Sequence, residues 1–240
     1  MLLFDCSYSS PPENLACDEA ILEACEEGEL DAGVLRFWES PRYFVVLGYT
    51  GKREIEANVA ACAARDIPIL RRCSGGGTVL QGPNCLNYSL VLPIASGESL
   101  TGITATNQFV MQRNARALSR ALSTPVEVRG HSDLTIKNRK FSGNAQRRKK
   151  NYFLFHGTFL LGFDLELITA VLRQPKIQPD YRGQRTHRDF VVNLNIAQNE
   201  IKDLLAQEWE ASEVLRAAPQ ERMARLIAEK YTRDEWNQKF

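Results

Sequence analysis

Ready-made nucleophile and nucleotide signatures are missing from this chain. No cysteine follows Cys85, the six cysteines form no CxxC pair, and only three histidines are present. A cysteine–histidine zinc centre therefore lacks ligands at the usual spacing. GxSxG is absent, which removes the serine-hydrolase elbow. GxxxxGK[ST] and a helix-opening GxGxxG are absent too, which removes the standard phosphate loops. Charge of one sign is also missing: 30 Lys and Arg stand against 29 Asp and Glu, a net charge of +1, so no global basic field recruits nucleic acid. No apolar run approaches the roughly 18 residues of a membrane span. The start, MLLFDCSYSSPPENLACDEA, lacks the charged opening and long apolar stretch of a signal peptide. Unpaired thiols in such a chain lead us to expect a reduced, cytoplasmic protein that engages neither membrane nor nucleic acid.

What is present is a globular balance. Of 240 residues, 44% are hydrophobic and 25% charged, enough apolar surface for a sizeable core and too much for a disordered chain. The spacing predicts a helix over 14–28 with Asn14 as its cap, strands over 34–38 and 43–49, a helix over 54–65, and strands at 67–72 and 86–93. A second long helix covers 104–122, with Phe109, Val110, Ala117, Leu118 and Leu122 on its apolar face. Short strands with tight turns follow, with Lys137-Asn138-Arg139 as a hairpin turn. Helices return at 165–172, 199–217 and 220–230, and residues 174–189 read as a polar, basic, mobile loop. Runs of strands without regular βαβ alternation predict an α+β fold, with 1–240 as one domain.

Four segments carry chemistry. In Arg71-Arg72-Cys73-Ser74-Gly75-Gly76-Gly77-Thr78, consecutive glycines after a strand allow close backbone approach and free N–H groups for an anion, or simply make a sharp turn. The arginines add fixed positive charge. The second segment, His131 to Gln146, contains Lys140 just before Ser142-Gly143, which sets an ammonium beside backbone donors. The third, Phe155-His156-Gly157-Thr158, places a histidine and a glycine in an apolar strand; His156 is either a histidine satisfied by backbone or a base. The fourth is basic: Arg147 to Lys150, with Arg182, Arg185 and Arg188 further on, a solvated face or a site for phosphate or an acidic partner. Cys73 and Cys85 lie near these segments and read better as small packing residues than as nucleophiles.

In order along the chain, NLACDEAIL, RRCSGGGTVLQGPNCLNYSL, SDLTIKNRKFSGNAQ, HGTFLL and KYTRDEWNQKF resemble the lipoate–protein ligase family, within the wider biotin/lipoate ligase and octanoyltransferase group. The resemblance implies a central mixed β-sheet flanked by helices, related to biotin ligases and class II synthetase cores. It implies ATP, with Mg²⁺, activating lipoate to lipoyl-AMP, and transfer of the lipoyl group to a lysine of an acceptor domain. Such acceptors are 2-oxoacid dehydrogenase E2 proteins or glycine cleavage H-type proteins. By the match, Lys140 would neutralise the carboxylate and α-phosphate. Arg72, Ser74, Gly75, Gly76 and Gly77 would line the acyl pocket and adenylate. Asn87 and Asp133 would position phosphate, metal or amine, and Ser142, Gly143 and Ala145 the nucleotide. His156 and Gly157 complete the substrate-binding set, and no side-chain metal site is expected.

Three departures accompany the match. Leu80-Gln81-Gly82 stands where many relatives carry a His-Asp pair after the glycine loop. The accessory domain of long ligases is not expected within this chain; either a separate small subunit supplies it or the chain works without it. The cysteine that related acyltransferases place near the lysine segment or after the His-Gly strand is missing, which favours the ATP-dependent route over octanoyl or lipoyl transfer between carrier proteins. A non-catalytic relative that binds acyl-carrying proteins is a third reading.

Overall fold

The computed structural model describes residues 1–94, 100, 102–176 and 178–240. From the N-terminus, strand β1 (Leu2–Asp5) leads into helix α1 (Pro11–Glu26), then β2 (Val34–Trp38) and β3 (Phe44–Leu47). Two short helices, α2 (Arg53–Glu56) and α3 (Val59–Ala63), precede β4 (Ile69–Arg71), β5 (Val79–Gln81) and β6 (Cys85–Pro93). Helix α4 (Ile103–Leu122) is followed by the meander β7 (Glu127–Arg129), β8 (Asp133–Ile136), β9 (Arg139–Arg148) and β10 (Tyr152–Leu160). The chain closes through α5 (Leu165–Val171), α6 (His187–Phe190), α7 (Gln198–Glu208), β11 (Glu213–Val214), α8 (Gln220–Leu226) and α9 (Asp234–Asn237).

Eight strands form one mixed sheet in the order β11-β1-β2-β6-β10-β9-β8-β7, and β4-β3-β5 form a second. Alternation along the central strands sorts the side chains between two layers. Leu35, Phe37, Leu90 and Phe155 join Val110 and Met111 of α4 and Ile201 and Leu205 of α7 in one core. Val34, Trp38, Val91 and Leu154 join Leu15, Ile21 and Leu22 of α1 in another. Every residue of β2 is buried, which explains its unbroken apolar reading apart from Arg36. The expected α+β architecture is the observed one.

Several boundaries differ from expectation, each for a local reason. Helix α1 starts before Asn14: Glu13 accepts from Ser10 N–H (3.1 Å) and Ser10 Oγ (2.6 Å), while Asn14 lies inside the helix and donates to Tyr8 O. The helix expected over 54–65 is two helices, because Asn58 accepts from Ala61 N–H to start α3 and donates to Ala170 O of α5. The helix expected over 199–217 ends at Glu208: Glu210 turns left-handed (φ 53°), and Glu213–Val214 pairs in parallel with Leu2–Leu3. Within 174–189, residues 178–189 form a 3₁₀ turn at Asp180–Arg182 and the start of α6 rather than an irregular loop, and Ile177 lies outside the described residues. Helix α8 continues through a π turn at Ile227–Tyr231.

Arg71 ties the C-terminal end of the chain to the loop after β3. Fully buried, its guanidinium donates to the carbonyls of Gly48, Tyr49, Gly51, Trp236 and Asn237. The neighbouring peptide is fixed by Asn237 Oδ1 and Trp236 Nε1. Replacing Arg71 with Ala leaves these carbonyls without their donor, at about 1 kcal/mol or more each. Urea unfolding of Arg71→Ala is expected to show a loss of at least about 3 kcal/mol; a change within 1 kcal/mol refutes this role.

Candidate active site

One large cavity, about 740 Å³, opens on the α1 side of the sheet. Leu15, Trp38, Val79 and Leu80 are among its apolar lining residues, and Asp133, Lys140, Arg182 and His187 among its polar ones. Trp38 lies on β2 and Lys140 on β9, three strand spacings away in the sheet order, or about 14 Å.

The lysine segment is built by the β8–β9 hairpin. Lys137 and Asn138 both take positive φ (47° and 60°) at its turn, the pattern of a tight two-residue hairpin. Lys140 follows on β9, its carbonyl accepting from Val192 N–H. Its Nζ lies 2.7 Å from Asp133 Oδ1, and Tyr181 donates to Asp133 Oδ2 at 2.7 Å. A Cβ on Gly143 would stand 2.7 Å from Lys140 Nζ, so the Ser-Gly step leaves room for the ammonium. Ser142 is buried in the same wall and accepts from Asn144 Nδ2. Gly157 answers a similar demand: a Cβ there would stand 1.7 Å from Asn144 Oδ1, the atom that receives the Tyr88 hydroxyl.

Burial and charge shape this end of the cavity. Burial, then the positive charges of Arg182 and Lys140, push His187 down to about 4. Arg182 is 4% exposed and donates to Gln174 Oε1 and Arg185 O. Burial, with the Asp133 carboxylate beside it, drives the Tyr181 hydroxyl upward.

The glycine loop forms the opposite wall. Arg72 does not project freely into the cavity: Nε donates to Ser74 Oγ (2.9 Å) and one terminal nitrogen donates to Gly75 O (2.5 Å) and Gly77 O (2.9 Å). Burial lowers its ordinary value to about 10. Gly76 has positive φ (85°), and Gly48 must lack a side chain because a Cβ there would meet Gly76 O at 1.9 Å.

Of the residues singled out from the sequence, Arg72, Gly76, Gly77, Asn87, Asp133, Lys140, Ser142, Gly143, Ala145, His156 and Gly157 border one cavity. Ser74 and Gly75 lie just behind its wall. Asn87 accepts from Gln81 Nε2 and donates to Cys85 O. Sequence reasoning missed Asp18, Asn144, Tyr181 and His187. Asp18 carried a signal: with Asn14 it makes a polar i, i+4 pair inside an apolar helix. Among the described residues no cluster of three or more His, Cys, Asp or Glu could hold a metal.

The model of the lipoyl protein ligase A/B catalytic domain matches residues 10–218. The chain belongs to this family. A probable lipoate-protein ligase A of Mycoplasma pneumoniae is 29% identical over 184 residues, covering 77% of this chain and 52% of the relative. The chain thus spans about half the length of the Mycoplasma relatives it matches. An octanoyltransferase LipM of Geobacillus kaustophilus is 26% identical over 269 residues, covering 97% of this chain and 96% of the relative. A bi-partite lipoate protein ligase of Thermoplasma acidophilum, described with its E2 lipoyl domain, superposes with a TM-score of 0.83 at 23% identity, covering 99% and 95%. At that identity the likeness bears on the fold, and the family fold is that of this chain. Family members therefore include both ligases and octanoyltransferases, and among the described residues no cysteine borders the cavity.

Two outcomes follow. Burial pushes Cys73 and Cys85 to about 12, so neither thiol reacts with iodoacetamide in the native protein at pH 8. Peptide mass spectrometry checks this, and stoichiometric labelling of either overturns it. His187 binds a proton in the unfolded chain near 6.5 but in the folded protein only near 4. The unfolded state thus binds more protons in this window, and stability is lost as pH falls from about 6.5 to about 4, by about 3 kcal/mol. Unfolding of His187→Gln, measured at pH 7.5 and 4.5, should lack that part of the parent's loss.

Proposed function

We propose that this chain joins a lipoate-type fatty acid to ATP, releasing pyrophosphate, and passes the acyl group from the acyl-adenylate to a lysine amine of a lipoyl-acceptor domain. The observation that carries the reading is a single cavity lined both by apolar side chains and by the cations Lys140 and Arg182, with no thiol among its described lining residues. Bringing a carboxylate to a polyphosphate sets anions against each other, and fixed cations shielded from water lower that barrier. Lys140 neutralises the carboxylate and α-phosphate. Arg182 extends the positive field, His187 stays neutral beside it, and Leu15, Trp38, Val79 and Leu80 hold the apolar tail. Asn87, Ser142, Gly143 and Ala145 shape the nucleotide side.

A Mg²⁺ ion arriving with the nucleotide needs one or two carboxylates besides phosphate oxygens. Asp133 fits as one such donor, since it borders the cavity beside Lys140. The ion supplies charge neutralisation; the protein's part is to hold Lys140 and Asp133 at one place. The acceptors are E2-type lipoyl domains, by analogy with the Thermoplasma system, or glycine cleavage H-type proteins, as the family resemblance implies. A separate accessory subunit is part of this proposal, as is a cytoplasmic setting.

The likeness to an octanoyltransferase over nearly the whole chain keeps a second reading in view: acyl transfer between carrier proteins without ATP. Lipoate-dependent exchange of pyrophosphate into ATP separates the two. Lys140→Ala is expected to lower that exchange by about 10²–10³, the usual cost of one preorganised contact to developing charge. Lys140→Arg should also be poor, because a planar fork does not replace a compact ammonium. Lys137→Ala, on the exposed turn, should match the parent. Exchange in Lys140→Ala within a few-fold of the parent sinks the assignment, and absence of exchange in the parent favours the transferase.

A further inference from the structure

Under the glycine loop runs a chain of buried polar contacts that begins on α1. Arg36, Ser89 and His156 face each other across β2, β6 and β10, Ser89 being the register partner of both others. Directly opposed residues share a sheet face, and Asp18 of α1 caps this row. Arg36 lies 2.5 Å from Asp18 Oδ1, Ser89 Oγ donates to Oδ2 at 2.7 Å, and His156 Nδ1 is 3.3 Å from Oδ2. On the other side of the imidazole, Nε2 lies 2.6 Å from Ser74 Oγ, which also receives Arg72 Nε.

The direction of this chain follows from what each group can do. A guanidinium only donates and an ionised carboxylate only accepts. Burial raises the Asp18 carboxyl, but Arg36, with His156 and Ser89, outweighs that and holds it below the ordinary carboxylate range. With Arg72 donating into Ser74 Oγ, the hydroxyl proton is free to point at His156 Nε2, and the ring proton then sits on Nδ1, facing Asp18. The order of donation is Arg72 to Ser74 to His156 to Asp18. The same Arg72 holds the carbonyls of Gly75 and Gly77. A trans peptide points its N–H opposite its C=O, so the N–H groups of Gly76 and Thr78 are turned away from the guanidinium. Neither has a hydrogen-bond partner among the described residues, and both residues belong to the cavity wall.

We infer that Asp18, acting through His156 and Ser74, is a positioning residue that fixes the glycine loop with its N–H groups free for the phosphate or carboxylate oxygens of the bound substrate. Ser74 therefore serves as a link between the imidazole and Arg72, and His156 works as a fixed acceptor. The functional consequence rests on the adenylating reading above; the direction of the hydrogen bonds does not.

The test has an arm for each. In ¹⁵N spectra of the imidazole rings, with three histidines to assign, His156 in the parent carries its proton on Nδ1, and Asp18→Asn moves it to Nε2, since the amide can donate to Nδ1. A parent His156 protonated on Nε2, or on both nitrogens at pH 8, overturns the proposal. Asp18→Asn leaves Arg36 without its counter-charge, so Ser74→Ala, which spares that pair, provides the second variant. In Ser74→Ala the amide resonances of Gly75–Thr78 shift, kcat/KM for ATP in the exchange assay falls about 10- to 100-fold, and the protein remains folded. Unchanged loop amides and unchanged kcat/KM in a folded Ser74→Ala also overturn it. If the parent shows no exchange at all, the adenylating reading fails while the ring and amide spectra still decide the hydrogen-bond chain.

Discussion

A carboxylate with 3% exposure at the foot of a ligand cavity is the constraint on which the rest of the site depends. Asp18 is tolerable there because Arg36, itself fully buried, meets it at 2.5 Å and continues to Asn14 O and Asn14 Oδ1. Removing one partner of such a buried pair commonly costs about 3–5 kcal/mol, since the other is left uncompensated. The pair therefore locks α1 onto β2. Through Ser89 and His156 that lock extends across β6 and β10, so the helix, the sheet and the glycine loop occupy fixed relative positions before any ligand arrives.

The cavity's lining comes from both sheets and from the chain after α5. Trp38 of β2 and Val79 and Leu80 of β5 bring apolar side chains to its wall. Residues 178–187 bring Tyr181, Arg182 and His187 to the same cavity as Lys140. Lys140 is held by Asp133, Arg182 donates to the neutral acceptors Arg185 O and Gln174 Oε1, and His187 is pushed well below its ordinary value. Crowding cations in a low-dielectric space is unfavourable by itself; a bound polyanion relieves it. Sites that trade stability for ligand affinity in this way are common in enzymes.

Much of the site was readable because its parts are contiguous. RRCSGGG, the β8–β9 hairpin with Lys140, and His156-Gly157 each carry a local requirement. A glycine run, a two-residue turn and a glycine beside a bulky neighbour leave marks in sequence that need no tertiary context. The roles of particular atoms were less readable. Arg72 looked like a ligand for an anion, yet its guanidinium holds loop carbonyls. Asn14 looked like a cap, yet Ser10 and Glu13 open the helix and Asn14 turns to Tyr8 and Arg36. The basic stretch 174–189 looked like a free loop, yet Arg185 donates to Asn138 O and Tyr181 O and so ties the segment down.

The sequence by itself determined the α+β class, the central strands and the long helices α1 and α4, because periodicity and turn chemistry are local properties of consecutive residues. It also determined that no thiol lies in the lysine segment or after the His-Gly strand. Tertiary structure alone decided which polar groups meet. Asp18 reaches His156 across 138 positions of chain and Tyr181 reaches Asp133 across 48. Residues 213–214 become a strand only because the edge of β1 offers a partner. Side-chain identity sets what a group can donate or accept, but only packing removes the competing water and fixes which partner it finds.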